Sequence, residues 1–147
     1  MTTIADVDSI AQLRSSLIRI SRRIDRQVSV DGLTSTEVAV LGTIANRGPL
    51  GLGELAAYEG INRTMLSRVI GKLEAAELIR RQPSIADRRA AEVVVTRKGA
   101  RLRERLQAAR YRLLAERLGE LPPATVTALF DAVPALEALA EVLEPRP

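Results

Sequence analysis

Six polar side chains fall within one short stretch of the chain: Asn62, Arg63, Thr64, Ser67, Arg68 and Lys72. Their types suit recognition rather than catalysis. Arg63 and Arg68 can each donate two parallel hydrogen bonds to guanine O6 and N7, and Asn62 and Thr64 suit base edges or phosphates. Ser67 and Lys72 are the expected phosphate ligands, which position a helix without reading sequence. Further on, Arg88 and Arg89 follow Asp87. Adjacent arginines are suited to a narrow A·T-rich minor groove, where the negative potential is greatest. Asp87 is expected to be an internal brace paired with an arginine, because a carboxylate beside phosphate is unfavourable. Asn62 is also placed to cap a helix, whatever else it touches.

These residues need elements to carry them. Leu52–Tyr58 reads as a helix, Glu59-Gly60-Ile61 as a tight turn and Asn62–Ala76 as a second helix. In that second helix, Met65, Val69 and Leu73 are expected on the buried face, flanked by Leu66 and Ile70, with the polar residues elsewhere on the wheel. Leu78–Gln82 and Glu92–Thr96 read as short strands around an exposed Pro83–Ala91 loop, too long for a two-residue turn. Arg80 and Arg81 alternate along the first strand, so at most one of them faces a ligand. Helix, turn, helix and basic hairpin in that order make a winged helix-turn-helix.

Upstream, Thr34-Ser35-Thr36-Glu37 fits a capping box, with Leu33 and Val38 at the staple positions. That helix turns Val38, Leu41 and Ile44 inward and stops before Gly48-Pro49. A short strand or turn around Leu50 follows it. Three longer helices flank this centre. Asp6–Val28 carries the seam Ile10, Leu13, Leu17, Ile20 and Ile24, and Arg97–Leu118 carries Leu102, Leu106, Ala109 and Leu113. A last helix opens at Pro122-Pro123 and is apolar from Val126 to Val142. Pro134 within it predicts a kink or a break.

Composition narrows the function. The chain has 147 residues, 46% hydrophobic and 27% charged, as expected for one folded domain. It has no Cys and no His, which excludes disulfides, thiol redox sensing, zinc fingers and imidazole bases. No cofactor or metal is expected, and no nucleophile, base and oxyanion site assembles, so the chain does not read as an enzyme. The aromatics are Tyr58, Tyr111 and Phe130, too few for binding single strands by base stacking. The net charge is +4, but twelve basic residues face five acidic ones between Gly60 and Arg105. The cations are therefore concentrated around the predicted interface. Lys98, Arg101 and Arg105 are read as a solvated helix face. No run approaches eighteen apolar residues, and Met1–Asp8 lacks the plan of a signal peptide, so the chain is expected to be cytoplasmic with no membrane contact.

The outer helices carry more apolar seam than a small winged unit can cover, and monomers rarely expose such patches. Residues 1–31 and 97–147 are therefore expected to form a helical dimerisation region, and residues 32–96 the DNA-binding domain. The class is mainly α with a small β-hairpin, paired into a two-fold homodimer.

The chain resembles the multiple antibiotic resistance regulator (MarR) family. The matching blocks are Leu33-Thr34-x-x-Glu37-x-x-Val40-Leu41, Leu52-x-x-Leu55-Ala56 and the run Asn62–Ile70 followed by Lys72-Leu73. Leu78-Ile79-Arg80-Arg81, lacking the glycine common before it, and Asp87-Arg88-Arg89-x-x-x-Val93-x-Val95-Thr96-x-x-Gly99 complete the pattern. Val95 stands where Leu is usual, and Glu37 where Gln is common. The resemblance implies an obligate homodimer that represses genes from a pseudo-palindromic operator until a small ligand, commonly a phenolic or other apolar anion, binds. It also implies that Asp87 and Arg89 organise the wing and that one arginine there enters the minor groove. Arg19, Arg22 and Tyr111 are candidate ligand contacts, since their helices would border a pocket. The rival reading is a winged-helix adaptor for other proteins, because fold alone does not decide function.

Overall fold

The computed structural model describes residues 6–29 and 32–144. The outermost ends assigned to the dimerisation region, residues 1–5 and 145–147, lie outside this range, as does its boundary at residues 30–31. The expectation drawn from Met1–Asp8 likewise falls mostly outside it.

Among the described residues the elements follow in order: α1 (Val7–Gln27), α2 (Ser35–Arg47), β1 (Leu50–Gly51), α3 (Leu52–Glu59), α4 (Arg63–Ala75), β2 (Ile79–Pro83), β3 (Ala91–Val95), α5 (Arg97–Gly119) and α6 (Pro123–Leu143). Local chemistry sets their starts. The Thr34 hydroxyl accepts the Glu37 amide at 3.3 Å while Glu37 Oε2 accepts the Thr34 amide at 2.7 Å, completing the capping box of α2. Asn62 Oδ1 accepts the Met65 amide at 2.8 Å and opens α4. Thr96 accepts the Gly99 amide at 3.1 Å and opens α5.

Geometry requires glycine at two positions that frame the candidate site. Gly60 ends α3 with φ +62°, a left-handed conformation that costs other residues energy. At Gly99 a Cβ would lie 2.0 Å from the Leu78 carbonyl oxygen, so only glycine lets α5 start this close to β2. Glu77, φ +60°, takes a left-handed conformation without being glycine, at the turn between α4 and β2.

The three strands form one antiparallel sheet in the order β1-β3-β2. Leu50 pairs with Val93, Arg81 also pairs with Val93, and Ile79 pairs with Val95. Twelve side chains make the core: Val40, Leu41 and Ile44 from α2, Leu50, Leu55, Leu66, Val69, Ile70 and Leu73, then Leu78, Ile79 and Val93. This core fixes the two helices of the turn against the sheet.

Two sequence expectations need correction. Met65 is 43% exposed, not buried. The buried stripe of α4 runs through Leu66, Val69, Ile70 and Leu73, and Met65 sits about 100° around the helix from Leu66. Of the kink or break expected at Pro134, the break does not occur, since α6 runs through it as one helix. Proline removes a single i→i−4 bond, and α6 lies in exposed surroundings where water can satisfy the freed Phe130 carbonyl. The strands also sit one residue away from their expected limits, a shift usual at element ends.

Neither α1 nor α6 buries a residue within the chain. Ile10, Leu13, Leu17 and Ile20 on α1 are exposed, as are Leu129, Phe130, Val133, Leu136 and Leu139 on α6. Among the described residues, no helix is long and apolar enough to cross a membrane.

Candidate nucleic-acid interface

With Leu66, Val69, Ile70 and Leu73 turned inward, the helical repeat sends Thr64, Arg68, Gly71 and Ala75 to the opposite side of α4. Ser67 and Arg63 flank that line on one side, and Met65 and Lys72 on the other. Asn62, Arg63, Thr64, Ser67, Arg68 and Lys72 are all exposed, so the structure gathers the predicted recognition residues on one accessible surface. The Asn62 carbonyl oxygen is engaged as the cap, which leaves its amide NH₂ for other partners.

Lys72 differs from expectation. Its Nζ lies 3.0 Å from Glu37 Oε2, so the predicted phosphate ligand is already in an internal ion pair. Glu37 is only 7% exposed. Burial pushes its carboxyl up, but hydrogen bonds from the Thr34 amide and Lys72, with the lysine charge, outweigh that and hold it below the ordinary glutamate value.

The hairpin tip, residues 85–91, is exposed throughout and carries Arg88 and Arg89. Asp87 is a brace of a different kind from the one expected. Its Oδ1 accepts the Arg89 backbone amide at 3.0 Å, and among the described residues it forms no ion pair with an arginine side chain. A short acidic side chain satisfies a turn amide two residues on at no cost in reach, whereas an arginine partner would order a longer side chain. Both arginine side chains therefore remain available. Ser84 was not foreseen. It is buried, its hydroxyl donates to Glu92 Oε1 at 2.6 Å and accepts the Ala86 amide at 3.2 Å. A serine two residues before a turn amide is the local signal that marks it.

On β2, Arg80 and Arg81 are both exposed, and Arg81 Nε is held by Glu74 of α4 at 3.2 Å. Lys98 donates to the Ala76 carbonyl at 2.8 Å, while Arg101 and Arg105 lie on the exposed face of α5. Among the described residues no group of three carboxylates is gathered closely enough to hold a metal ion.

A cavity of about 330 Å³ opens between α1, α2 and α5. Ile24, Val38, Leu41, Leu106 and Leu114 make it largely apolar, with Asn46, Arg103, Gln107, Arg110 and Tyr111 as polar lining. Arg110 joins α5 to α1 through Asp25 at 2.9 Å, and its buried Nε has no hydrogen-bond partner among the described residues. Of the three ligand-contact candidates, Tyr111 lines this cavity. Arg19 and Arg22 do not, because they lie off the α1 seam and are exposed.

Residues 33–91 match the model of the MarR family. An HTH-type transcriptional regulator of Mycobacterium bovis, itself uncharacterized, is 34% identical over 119 residues, covering 78% of this chain and 83% of the relative. The chain belongs to the MarR family. MarR proteins are DNA-binding transcription regulators rather than enzymes. The fold agrees along nearly the whole chain. A crystal structure of a Pseudomonas aeruginosa protein assigned as a transcriptional regulator superimposes with TM-score 0.80 at 28% identity, covering 94% of this chain and 97% of that one. Streptococcus pneumoniae FabT, crystallised in complex with DNA, shares the MarR fold with TM-score 0.69 at 14% identity, covering 94% and 99%.

Proposed function

We propose that this MarR protein is a cytoplasmic homodimeric repressor that binds a pseudo-palindromic operator and releases it when a small apolar or phenolic anion binds. Residues 32–96 form the DNA-reading unit. α4 enters the major groove, with Arg63 and Arg68 on guanines, Asn62 and Thr64 on base edges or phosphates and Ser67 on phosphate. Arg88 and Arg89 track the flanking minor groove, with Asp87 holding their turn. The observation that carries the reading is the polar, exposed outer side of a helix whose inner side is sealed into the core. FabT, which shares this fold, was crystallised in complex with DNA.

Dimerisation is supported by the uncovered apolar sides of α1 and α6. A partner copy that covered them would place two α4 helices about one helical turn of DNA apart, or a small multiple of it. The release step is supported by the cavity beside Arg110. Arg110 and Tyr111 in its lining suit a carboxylate or phenolate, and its apolar walls suit an aromatic ring. Such a ligand would shift α1 and α5 against α2, and release follows if the bound state favours a different spacing of the two units.

Selection of bound fragments from genomic DNA by the purified protein tests the reading, with light scattering for mass. Recovery of sites with inverted half-sites, bound by a dimer, is the expected result. A single subunit in solution, or no preference for any duplex at low salt, overturns it.

A further inference from the structure

The two helices that orient the interface meet through one charge pair whose partners lie far apart in sequence. Lys72 leaves α4 one turn after Arg68, and its ammonium sits 3.0 Å from Glu37 Oε2 at the start of α2. That same oxygen accepts the Thr34 amide at 2.7 Å, so the carboxylate is held both by its capping role and by the positive end of the α2 dipole. An anion fixed by α2 thereby fixes a cation on α4. The environment strengthens the link. The Glu37 side chain is only 9% exposed, whereas Lys72 remains 48% exposed. A pair so placed is screened less than one in open solvent.

We propose that Glu37 is a positioning residue for DNA binding: by holding Lys72 it sets the angle at which Thr64 and Arg68 are presented. The lysine charge is spent inside the protein. Moving Lys72 to a phosphate would strand a buried carboxylate without its partner, close to a polyanion, and unpaired buried charge is strongly unfavourable. Glutamine at position 37 would keep the cap, since its carbonyl still accepts the Thr34 amide, but would lose the ion pair. The inference rests on α4 being the DNA-reading helix.

The probe is a duplex recovered from genomic fragments by the wild-type protein, titrated by fluorescence anisotropy across a salt series. Glu37→Gln, Lys72→Met and the double variant are compared, each first checked for a cooperative thermal transition. Both single variants should weaken specific binding about five- to twentyfold, with the double variant no worse than either, as for contacting partners. Affinity for an unrelated duplex should stay nearly constant, and the salt slope should not change. A phosphate-binding Lys72 makes opposite predictions. Glu37→Gln would then free the lysine and tighten binding, and Lys72→Met would lower the slope by about 0.9. Either result overturns the proposal, as does a Glu37→Gln variant that binds like the wild type. If Glu37→Gln fails to fold, the slope and the specific-to-unrelated ratio of Lys72→Met decide alone. Recovery of no duplex by the wild type sinks the interface itself, and the proposal with it.

Discussion

The winged unit and the two outermost helices handle their apolar surface in opposite ways. Between Leu33 and Val95 the chain closes a core of its own, in which Val40, Leu55, Ile70, Leu73 and Val93 are fully buried. α1 and α6 have comparable apolar seams and bury none of them, so Phe130 remains 60% exposed. The difference lies in what each face packs against. In the winged unit, three helices and a sheet close around a shared set of apolar side chains. The long helices each offer a stripe that no neighbour among the described residues buries. A stripe of that kind is a surface awaiting a partner, whereas the core is already a solved packing problem.

Substitutions can break this contrast at either end. Ile70→Ala should destabilise the chain by about 2–5 kcal/mol in chemical denaturation, because a fully buried side chain leaves a cavity among rigid neighbours. Phe130→Asp should leave the melting of the winged unit almost unchanged. It should instead weaken self-association by about 2 kcal/mol or more, the scale of an interface hot spot, read by analytical ultracentrifugation. Equal effects of the two changes on unfolding would erase the distinction.

Smaller effects sharpen the picture inside the winged unit. Arg68→Ala should cost about 1–3 kcal/mol of operator binding and relax base preference at its contact, while Arg89→Ala weakens binding with major-groove preference mostly intact. Competition titrations with single-base operator variants separate the two. Acid exposes the Glu37 pair. Its folded carboxyl titrates below the ordinary 4.5, so its stabilising contribution is complete above that value and is lost as pH falls through the lowered one. The stability gap between wild type and Glu37→Gln should therefore narrow as denaturation is repeated at pH values falling below 4.5. The smallest effect belongs to Glu77→Gly, which should raise stability by about 0.5–1 kcal/mol by relieving a left-handed glutamate. The Lys98–Glu77 pair it removes is exposed and contributes little.

Features decided within one turn of chain were legible from residue types. The Thr34–Glu37 box, the Asn62 cap, the Gly60 stop and the Pro123 start each rest on groups no more than three or four residues apart. The exposed polar side of α4 was legible for the same reason, since helical periodicity alone separates Arg68 from Leu66 and Val69. Met65 shows where that ends: its spacing fits the stripe through Val69 and Leu73, and only the packing of Leu66 and Ile70 against the core settles which stripe is inside. Asp87 was readable as a brace, but its partner was not, because a backbone amide and a side chain compete for it on nearly equal terms.

From the order of its residues alone, this chain determined its helices, its turn chemistry, the concentration of basic residues between Gly60 and Arg105 and its membership of the MarR family. All of these follow from contacts between near neighbours or from patterns of charge. Tertiary structure decided that Lys72 answers to Glu37, that Ser84 anchors the wing, and that Arg110 stands beside an apolar cavity with one donor unused. Those outcomes join residues from separate elements, and only the closing of the core brings them within hydrogen-bond distance.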